Sequence, residues 1–226
     1  ISSNVGFVPT MGSLHKGHIS LIKKSLKYCN KTIVSIFVNP TQFNEKEDFK
    51  KYPRNIKRDI SILKKLKVSY LFLPEVEEIY KNKMKNFTLS KSDKILCAKH
   101  RKGHFEGVLN VMNRLLSLIK SKYIFMGKKD FQQYFLVKKI LGKKYKINII
   151  GCPTIRDKNK IALSSRNLLL KKLDLKVAAK IFRKITSIKK TLKNKKNISN
   201  FLDLQKNELK NYFKIRIDYL ELRDKK

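Results

Sequence analysis

Two histidines stand three residues apart in the stretch PTMGSLHKGH (9–18), where an apolar segment gives way to an amphipathic one. A spacing of three puts His15 and His18 on one face of a helix's first turn. Free backbone N–H groups and the positive end of the helix dipole make that turn attractive to an anion. Gly12 and Gly17 let the backbone come close to a flat or charged ligand. A histidine pair so placed can donate hydrogen bonds to phosphate oxygens whose charge rises in a transition state. Taken without its surroundings, the same pair reads equally well as two incidental surface histidines.

The surroundings add polar groups of a suitable kind. In VNPTQF (38–43), Asn39 and Gln42 directly follow an apolar, β-branched run, and a primary amide can read a hydroxyl and a carboxylate at once. In MGKKDFQQ (126–133), Lys129 is the candidate cation for a phosphate and Gln133 falls in the first turn of the next helix. Asp130 reads either as a helix cap, the commoner role, or as a partner for ribose and magnesium. TIRDKNKIALSSRN (154–167) reads as a turn around Lys158 to Lys160 leading into Ser164, Ser165 and Arg166. Two hydroxyls and a guanidinium in series suit a polyphosphate. In KHRKGHFEG (99–107), Arg101 is a candidate clamp for a substrate carboxylate. His100 and His104 lack the companions of a metal site, and a helix starting before Val108 accounts better for them and for Glu106. No Walker A loop or GxGxxG fingerprint offers a competing nucleotide site.

These loops need a scaffold, and the pattern supplies one. Val5 to Pro9 reads as a short buried strand, Gly17 to Lys27 as a helix and Thr32 to Val38 (TIVSIFV) as a second strand, a βαβ unit. The alternation continues with a helix over Asn55–Leu66, a strand over Ser69–Leu73, a helix over Val108–Ile119 and a strand over Tyr123–Met126. A helix over Gln132–Leu141 and a strand over Ile147–Gly151 complete it. Such alternation predicts an α/β fold, a Rossmann-like parallel sheet with helices on both faces. In such sheets ligands bind beyond the carboxyl ends of the strands, where the loops carrying His15 and His18, Asn39 and Gln42, and Lys129 lie. After Arg166 the character changes to two lysine-rich helices, Lys171–Leu192 and Ile198–Phe213, and a strand-like alternation over Ile215–Leu222. The expected organisation is residues 1–167 as a nucleotide-binding domain and 168–226 as a smaller α+β domain. The run Lys189–Lys196 reads as a solvated loop.

The net charge of +37 ordinarily points to nucleic acid. Only nine of the 54 basic residues are arginine, however, and the lysines are dispersed over the whole chain. Dispersed lysine fits solvated faces and a general attraction for anionic substrates better than a specific nucleic-acid site. Cys29, Cys97 and Cys152 form no CxxC pair and no even-numbered framework, which fits a reducing cytoplasm. No apolar run approaches the ~18 residues that span a bilayer, so neither a membrane nor a secreted location is expected.

Together the segments PTMGSLHKGH (9–18), FVNPTQF (37–43), RKGHFEGV (101–108), GKKDFQQ (127–133) and ALSSRN (162–167) resemble the pantothenate synthetases, the pantoate–β-alanine ligases, within the nucleotidyltransferase superfamily that carries a HIGH-type motif. The order and spacing of all five carry the resemblance, whereas HxGH alone would indicate only the superfamily. It implies a two-step reaction. The carboxylate of (R)-pantoate attacks the α-phosphate of ATP to give a pantoyl adenylate and pyrophosphate; the amine of β-alanine then displaces AMP to form pantothenate. Mg²⁺ rides on the phosphates, and a homodimer is implied.

The resemblance further implies that Met11, Gly12, Ser13, Leu14, His15, Lys16, Gly17 and His18 line the ATP site, with His18 in the proton-donor place. Gly127, Lys128, Lys129 and Asp130 would contact ATP, with Lys129 on its phosphates, while Ile155, Leu163, Ser164, Ser165 and Arg166 flank the nucleotide. Gln42 and Gln133, with Asn39 nearby, would hold pantoate, and Arg101 would complete the anionic pocket. Lys102 replaces the family's usual proline and Lys128 its usual acidic or polar residue. Family members usually extend beyond both ends of this sequence, so both ends are expected to be truncated and the C-terminal lid incomplete. Two rival readings are a HIGH-type nucleotidyltransferase with another acceptor and a polyanion-binding relative without activity. The amide pair Gln42 and Gln133 argues against the first, because a phosphorylated acceptor calls for cations there.

Overall fold

The structure, a computed structural model, describes residues 4–81, 83–192 and 194–223. Its elements run β1 (Val5–Thr10), α1 (Lys16–Tyr28), β2 (Lys31–Ile36), α2 (Lys46–Lys51), α3 (Ile56–Lys65), β3 (Tyr70–Phe72), α4 (Val76–Tyr80) and α5 (Cys97–His100). They continue with α6 (His104–Leu118), β4 (Tyr123–Gly127), α7 (Phe131–Tyr145), β5 (Asn148–Cys152), α8 (Lys172–Leu192) and α9 (Ile198–Phe213). Two compact units result, one from residues 4–155 and 162–168, the other from 156–161 and 169–223.

The first unit is built on a five-stranded, wholly parallel sheet in the order β3-β2-β1-β4-β5. Parallel strands covered on both faces must be apolar throughout, and β1 and β4 are: Phe7, Val8, Ile124 and Phe125 are all fully buried. One face packs α6 and α7 through Val108, Leu109, Met112, Leu136 and Leu141. The other packs α1 and α3 through Leu21, Ile22 and Leu63. The chain leaves β1 towards β2 on one side and returns to pair β4 on the other. The strand order therefore reverses beside β1, the topological switch point where an open α/β sheet leaves a crevice.

All five strands fall within a residue or two of their expected positions. Helix α6 begins at His104, four residues before the expected Val108, because Gly103 supplies a left-handed N-cap at φ 78°. Helices α2, α4 and α5 lie in segments whose short length hides their period.

In the second unit, α8 and α9 pack through Ile188, Leu202 and Leu209, with Ile217 and Leu220 against them. The expected strand over Ile215–Leu222 does not form. Its alternation persists in the burial, with Ile215, Ile217 and Tyr219 half-buried between exposed Arg216 and Asp218. A strand also needs a partner for its backbone groups, and the described residues of this unit supply no second one. The run Lys189–Lys196 is also corrected in part: 189–192 close helix α8, while Lys193 lies outside the described residues. The turn after Arg156 forms as expected, with Asp157 Oδ1 accepting the N–H groups of Asn159 and Ile161 at 2.9 Å each. Among the described residues no helix is long and apolar enough to cross a membrane.

Candidate active site

The carboxyl ends of β1, β2, β4 and β5 open into one crevice of the first unit. Its wall takes Met11, His15, Gly17 and His18 from the first loop, and Asn39 and Gln42 from the second. Gly127, Lys129, Asp130 and Gln133 come from the third, with Thr154, Ile155 and Leu163 to Arg166 from the loop after β5. Helix α6 adds an apolar flank of Val108, Val111, Met112 and Leu115.

The β1–α1 turn is fixed one N–H at a time. Gly12 and Ser13 take consecutive left-handed conformations, φ 76° and 49°. The Gly12 N–H reaches Thr10 Oγ1 at 3.2 Å, and those of Ser13 and Leu14 reach the Asp59 carboxylate at 2.7 and 2.8 Å. His15 then caps α1. Its Nδ1 accepts the Gly17 N–H at 3.0 Å, and its own N–H reaches His18 Nδ1 at 3.4 Å, a reciprocal capping box built from two imidazoles. Because each Nδ1 is an acceptor, the proton of each neutral ring sits on Nε2. The rings stack with centroids 4.0 Å apart. Burial, followed by the neighbouring His15 and Lys129, pushes the His18 pKa down to about 3. Burial and then Lys129 lower that of His15 as well. Both rings are therefore neutral hydrogen-bond donors at pH 7.

The second loop is organised around Asn39, which is 1% exposed. Its Oδ1 accepts from the Thr41 N–H at 3.3 Å, Thr41 Oγ1 at 3.1 Å and the Tyr80 hydroxyl at 2.7 Å. Its Nδ2 donates to Gln42 Oε1 at 3.3 Å and to the Gly107 carbonyl at 3.4 Å. With Gln42 Oε1 held there, its Nε2 faces the first loop and meets Met11 Sδ at 2.8 Å. His104 Nδ1 donates to the Gln42 carbonyl at 2.6 Å, so this histidine braces the loop from α6, and burial first of all lowers its pKa. The close approach is possible because residue 107 is glycine: a Cβ there would stand 2.4 Å from the Thr41 carbonyl oxygen.

In the third loop Lys129 Nζ lies 3.1 Å from Asp130 Oδ1. Opposite, Ser165 Oγ donates to the Ser13 carbonyl at 3.1 Å, and the Leu163 N–H to that of Ile155 at 3.0 Å. Arg166 grips Asp48 with two parallel bonds, Nε to Oδ1 at 2.9 Å and Nη2 to Oδ2 at 2.7 Å. Its guanidinium also lies over Tyr52 and Phe43, 5.1 and 5.6 Å from the ring centroids. The hydrogen bond from Arg166 holds the Asp48 carboxyl below the usual carboxylate range.

Six expected residues stand off this wall: Gly12, Ser13, Leu14, Lys16, Lys128 and Arg101. Ser13 and Leu14 are buried, with their N–H groups already bound to Asp59. Arg101 lines a separate depression with Asn44, Glu45, Asp48 and Lys99 to Lys102. Sequence reasoning did not find Asp59, Asp48 or Tyr80, each of which acts on the wall from a distant element. Among the described residues no group of three or more His, Cys, Asp or Glu side chains gathers as a metal site, and Asp130 is the one carboxylate on the crevice wall.

Comparison with known proteins agrees with this arrangement. The family model described as pantoate-beta-alanine ligase matches residues 2–226. The pantothenate synthetase of Leptospira biflexa serovar Patoc is 41% identical over 224 residues, 97% of this chain and 79% of that protein. That of Pseudothermotoga lettingae is 37% identical over 230 residues, covering 96% and 79%. Among solved structures, the pantothenate synthetase of Thermus thermophilus superposes with a TM-score of 0.91 at 32% identity, over 100% of this chain and 83% of that one. The Francisella tularensis pantoate-beta-alanine ligase, complexed with beta-gamma ATP and beta-alanine, gives 0.85 at 38% identity, over 98% and 82%. Sequence, family model and backbone thus coincide over nearly the whole length, and the chain belongs to the pantoate–β-alanine ligase family.

Proposed function

We propose that the crevice at the switch point is where ATP, pantoate and β-alanine react. The reaction is the ATP-dependent condensation of pantoate with β-alanine. The observation that carries the assignment of residues is the convergence of His15, His18, Gln42, Lys129 and Gln133 on one wall from three strand ends. In the first step the pantoate carboxylate attacks the α-phosphorus, and pyrophosphate leaves. Anion attacking anion needs neutralisation and fixed geometry more than it needs a protein nucleophile. Lys129 supplies the positive charge. The Nε2–H groups of His15 and His18 supply neutral donors that stay protonated on Nε2 through the step. Gln42 and Gln133 orient pantoate by its hydroxyls and carboxylate, with Asn39 fixing Gln42. Ile155 and Leu163 to Arg166 flank the nucleotide. In the second step the neutral β-alanine amine attacks the acyl carbon, the acyl C–O bond breaks with its electrons leaving on AMP, and the nitrogen loses a proton to solvent.

A Mg²⁺ ion carried by the phosphates fits the donor set. With one wall carboxylate, the site suits an ion that keeps most of its waters and takes its other ligands from substrate oxygens. Asp130 would hold it, and it would spread the charge of the leaving pyrophosphate. Residues 1–167 serve as the nucleotide- and pantoate-binding domain and 168–226 as the lid. A cytoplasmic homodimer completes the proposal, and Cys29, Cys97 and Cys152, none of them in a disulfide, fit a reducing compartment.

The test is pyrophosphate and AMP release from ATP. Pantoate alone should release pyrophosphate in a single turnover, and AMP should require β-alanine. His18→Ala should abolish the first step while leaving the thermal midpoint close to wild type, and Gln133→Ala should weaken pantoate far more than ATP. Equal pyrophosphate release by His18→Ala would sink the assignment.

A further inference from the structure

We infer that Asp59 is a positioning residue for adenylation: its carboxylate permanently fills the anion hollow of the β1–α1 turn and so sets the tautomers of His15 and His18. The inference rests on the reading of the crevice given above.

Two successive left-handed residues, Gly12 and Ser13, turn neighbouring backbone N–H groups towards one point and make a concavity that selects an anion. In a turn leading into a helix, that anion is commonly a ligand's phosphate. Here it comes from the protein. Asp59 projects from α3, 46 residues further along, is 1% exposed, and gives one oxygen to each N–H: Oδ2 to Ser13 at 2.7 Å and Oδ1 to Leu14 at 2.8 Å. Such short, charge-assisted bonds in a buried setting are the strong ones.

Five backbone donors around the hollow are then spoken for. Gly12 gives its N–H to Thr10, Ser13 and Leu14 to Asp59, His15 to His18, and Gly17 to His15. A phosphate arriving in the crevice finds the two N–H groups of the hollow already taken. The side-chain donors left to meet it are the two Nε2–H groups and Lys129. Those donors point correctly only while both Nδ1 atoms are occupied, and that requires His15 to stay in the N-cap position directly after the clamped Leu14. The path from α3 to the reacting phosphate is thus carboxylate, two amides, cap, imidazole.

Asp59→Asn is nearly isosteric but sets an NH₂ group against one of the two N–H donors. In protein labelled with ¹⁵N-histidine, the wild type should show His15 and His18 as single Nε2–H tautomers at pH 7. Asp59→Asn should show tautomer averaging at both, and kcat for adenylate formation should fall by between about tenfold and 100-fold. KM for pantoate should hold, since Gln42 and Gln133 are anchored elsewhere. Leu63→Ala is the control: it removes a core anchor of the same helix and should lower stability with the imidazole signals unchanged. Wild-type tautomers and kcat in Asp59→Asn, or the same averaging in Leu63→Ala, would overturn the inference. Should Asp59→Asn not fold, Gly12→Ala takes its place. Its methyl group would stand 3.1 Å from Asp59 Oδ2 at a φ of +76°, and unchanged imidazole signals there would overturn it equally. An active Asp59→Asn beside a dead His18→Ala refutes only this inference, whereas an active His18→Ala refutes the adenylation reading beneath it.

Discussion

Gly107→Ala tests whether the second loop is held in place by contact with α6. A methyl group at 107 would begin 2.4 Å from the Thr41 carbonyl oxygen, 2.9 Å from its carbon and 3.1 Å from Gln42 Cα, whereas ordinary contact begins at 3.4 Å. Backbone is met on both sides, so no side chain can swing away. The loop has to retreat by about 1 Å, the difference between 2.4 and 3.4 Å. Overpacking of this kind costs about 1–3 kcal/mol, and replacing glycine within a helix returns about 0.8–1.0 kcal/mol. The net loss of about 0–2 kcal/mol lowers the thermal midpoint by at most about 8 °C in a chain of this size, so the variant folds. Function should suffer far more. Asn39 and Gln42 ride on the displaced backbone, and a misplacement of about 1 Å is worth about 100-fold. The assay is the initial rate of pyrophosphate release against pantoate at saturating ATP, with ATP varied in a second series. kcat/KM for pantoate should fall by about 100-fold while KM for ATP stays near wild type. A kcat/KM for pantoate within about threefold of wild type, or an equal rise in KM for ATP, would refute the reasoning that the α6 contact sets this loop.

Two other outcomes follow from the electrostatics. His18 takes a proton near pH 3 in the folded chain and near 6.5 when exposed. Between those values the unfolded chain binds the extra proton, so this residue's contribution is intact above about pH 6.5 and declines as pH falls, by about 1.4 kcal/mol per unit. His18→Gln should flatten the thermal midpoint against pH between 6.5 and 5, and an unchanged slope would refute a buried neutral imidazole. Asp48→Asn leaves Arg166 stacked on Tyr52 and Phe43 without its second acceptor oxygen. KM for ATP should rise several-fold with KM for pantoate unchanged; equal values for ATP in the two proteins would show that the ion pair does not aim Arg166.

What the sequence made legible follows from which interactions are local. TIVSIFV is apolar and β-branched over its whole length, and nothing but a doubly covered strand buries all of it, so β2 falls where expected. IRIDYLEL alternates just as well but fails as a strand, because alternation states which face is buried and is silent about a pairing partner. The histidine pair, the amide pair and the Lys129 loop are legible because each sits at the end of a strand that the pattern had already placed. Asp59 is not. It lies on the amphipathic α3 among charged residues, where a carboxylate reads as solvent-facing, and only the fold brings it against a turn 46 positions away. The same limit applies to Arg101 and Lys128. Charge and motif put them near the ligand, but the turn between α5 and α6 carries Arg101 into the neighbouring depression.

The central place of β1 also bears on how the chain comes off the ribosome. β1 pairs with β2 almost at once, but its other edge waits for Tyr123 and Ile124 of β4. While only β2 and β3 have followed it, the edge of β1 that β4 will pair at Gly6 and Phe7 is still open, and the faces that α6 and α7 later cover are still bare. Open edges and bare apolar faces are what aggregation and chaperones recognise. The crevice, whose wall runs from Pro9 to Arg166, is among the last features of this unit to close. A substitution that slows the docking of β4 would thus reduce the yield of soluble protein before it altered the turnover of any molecule that finished folding.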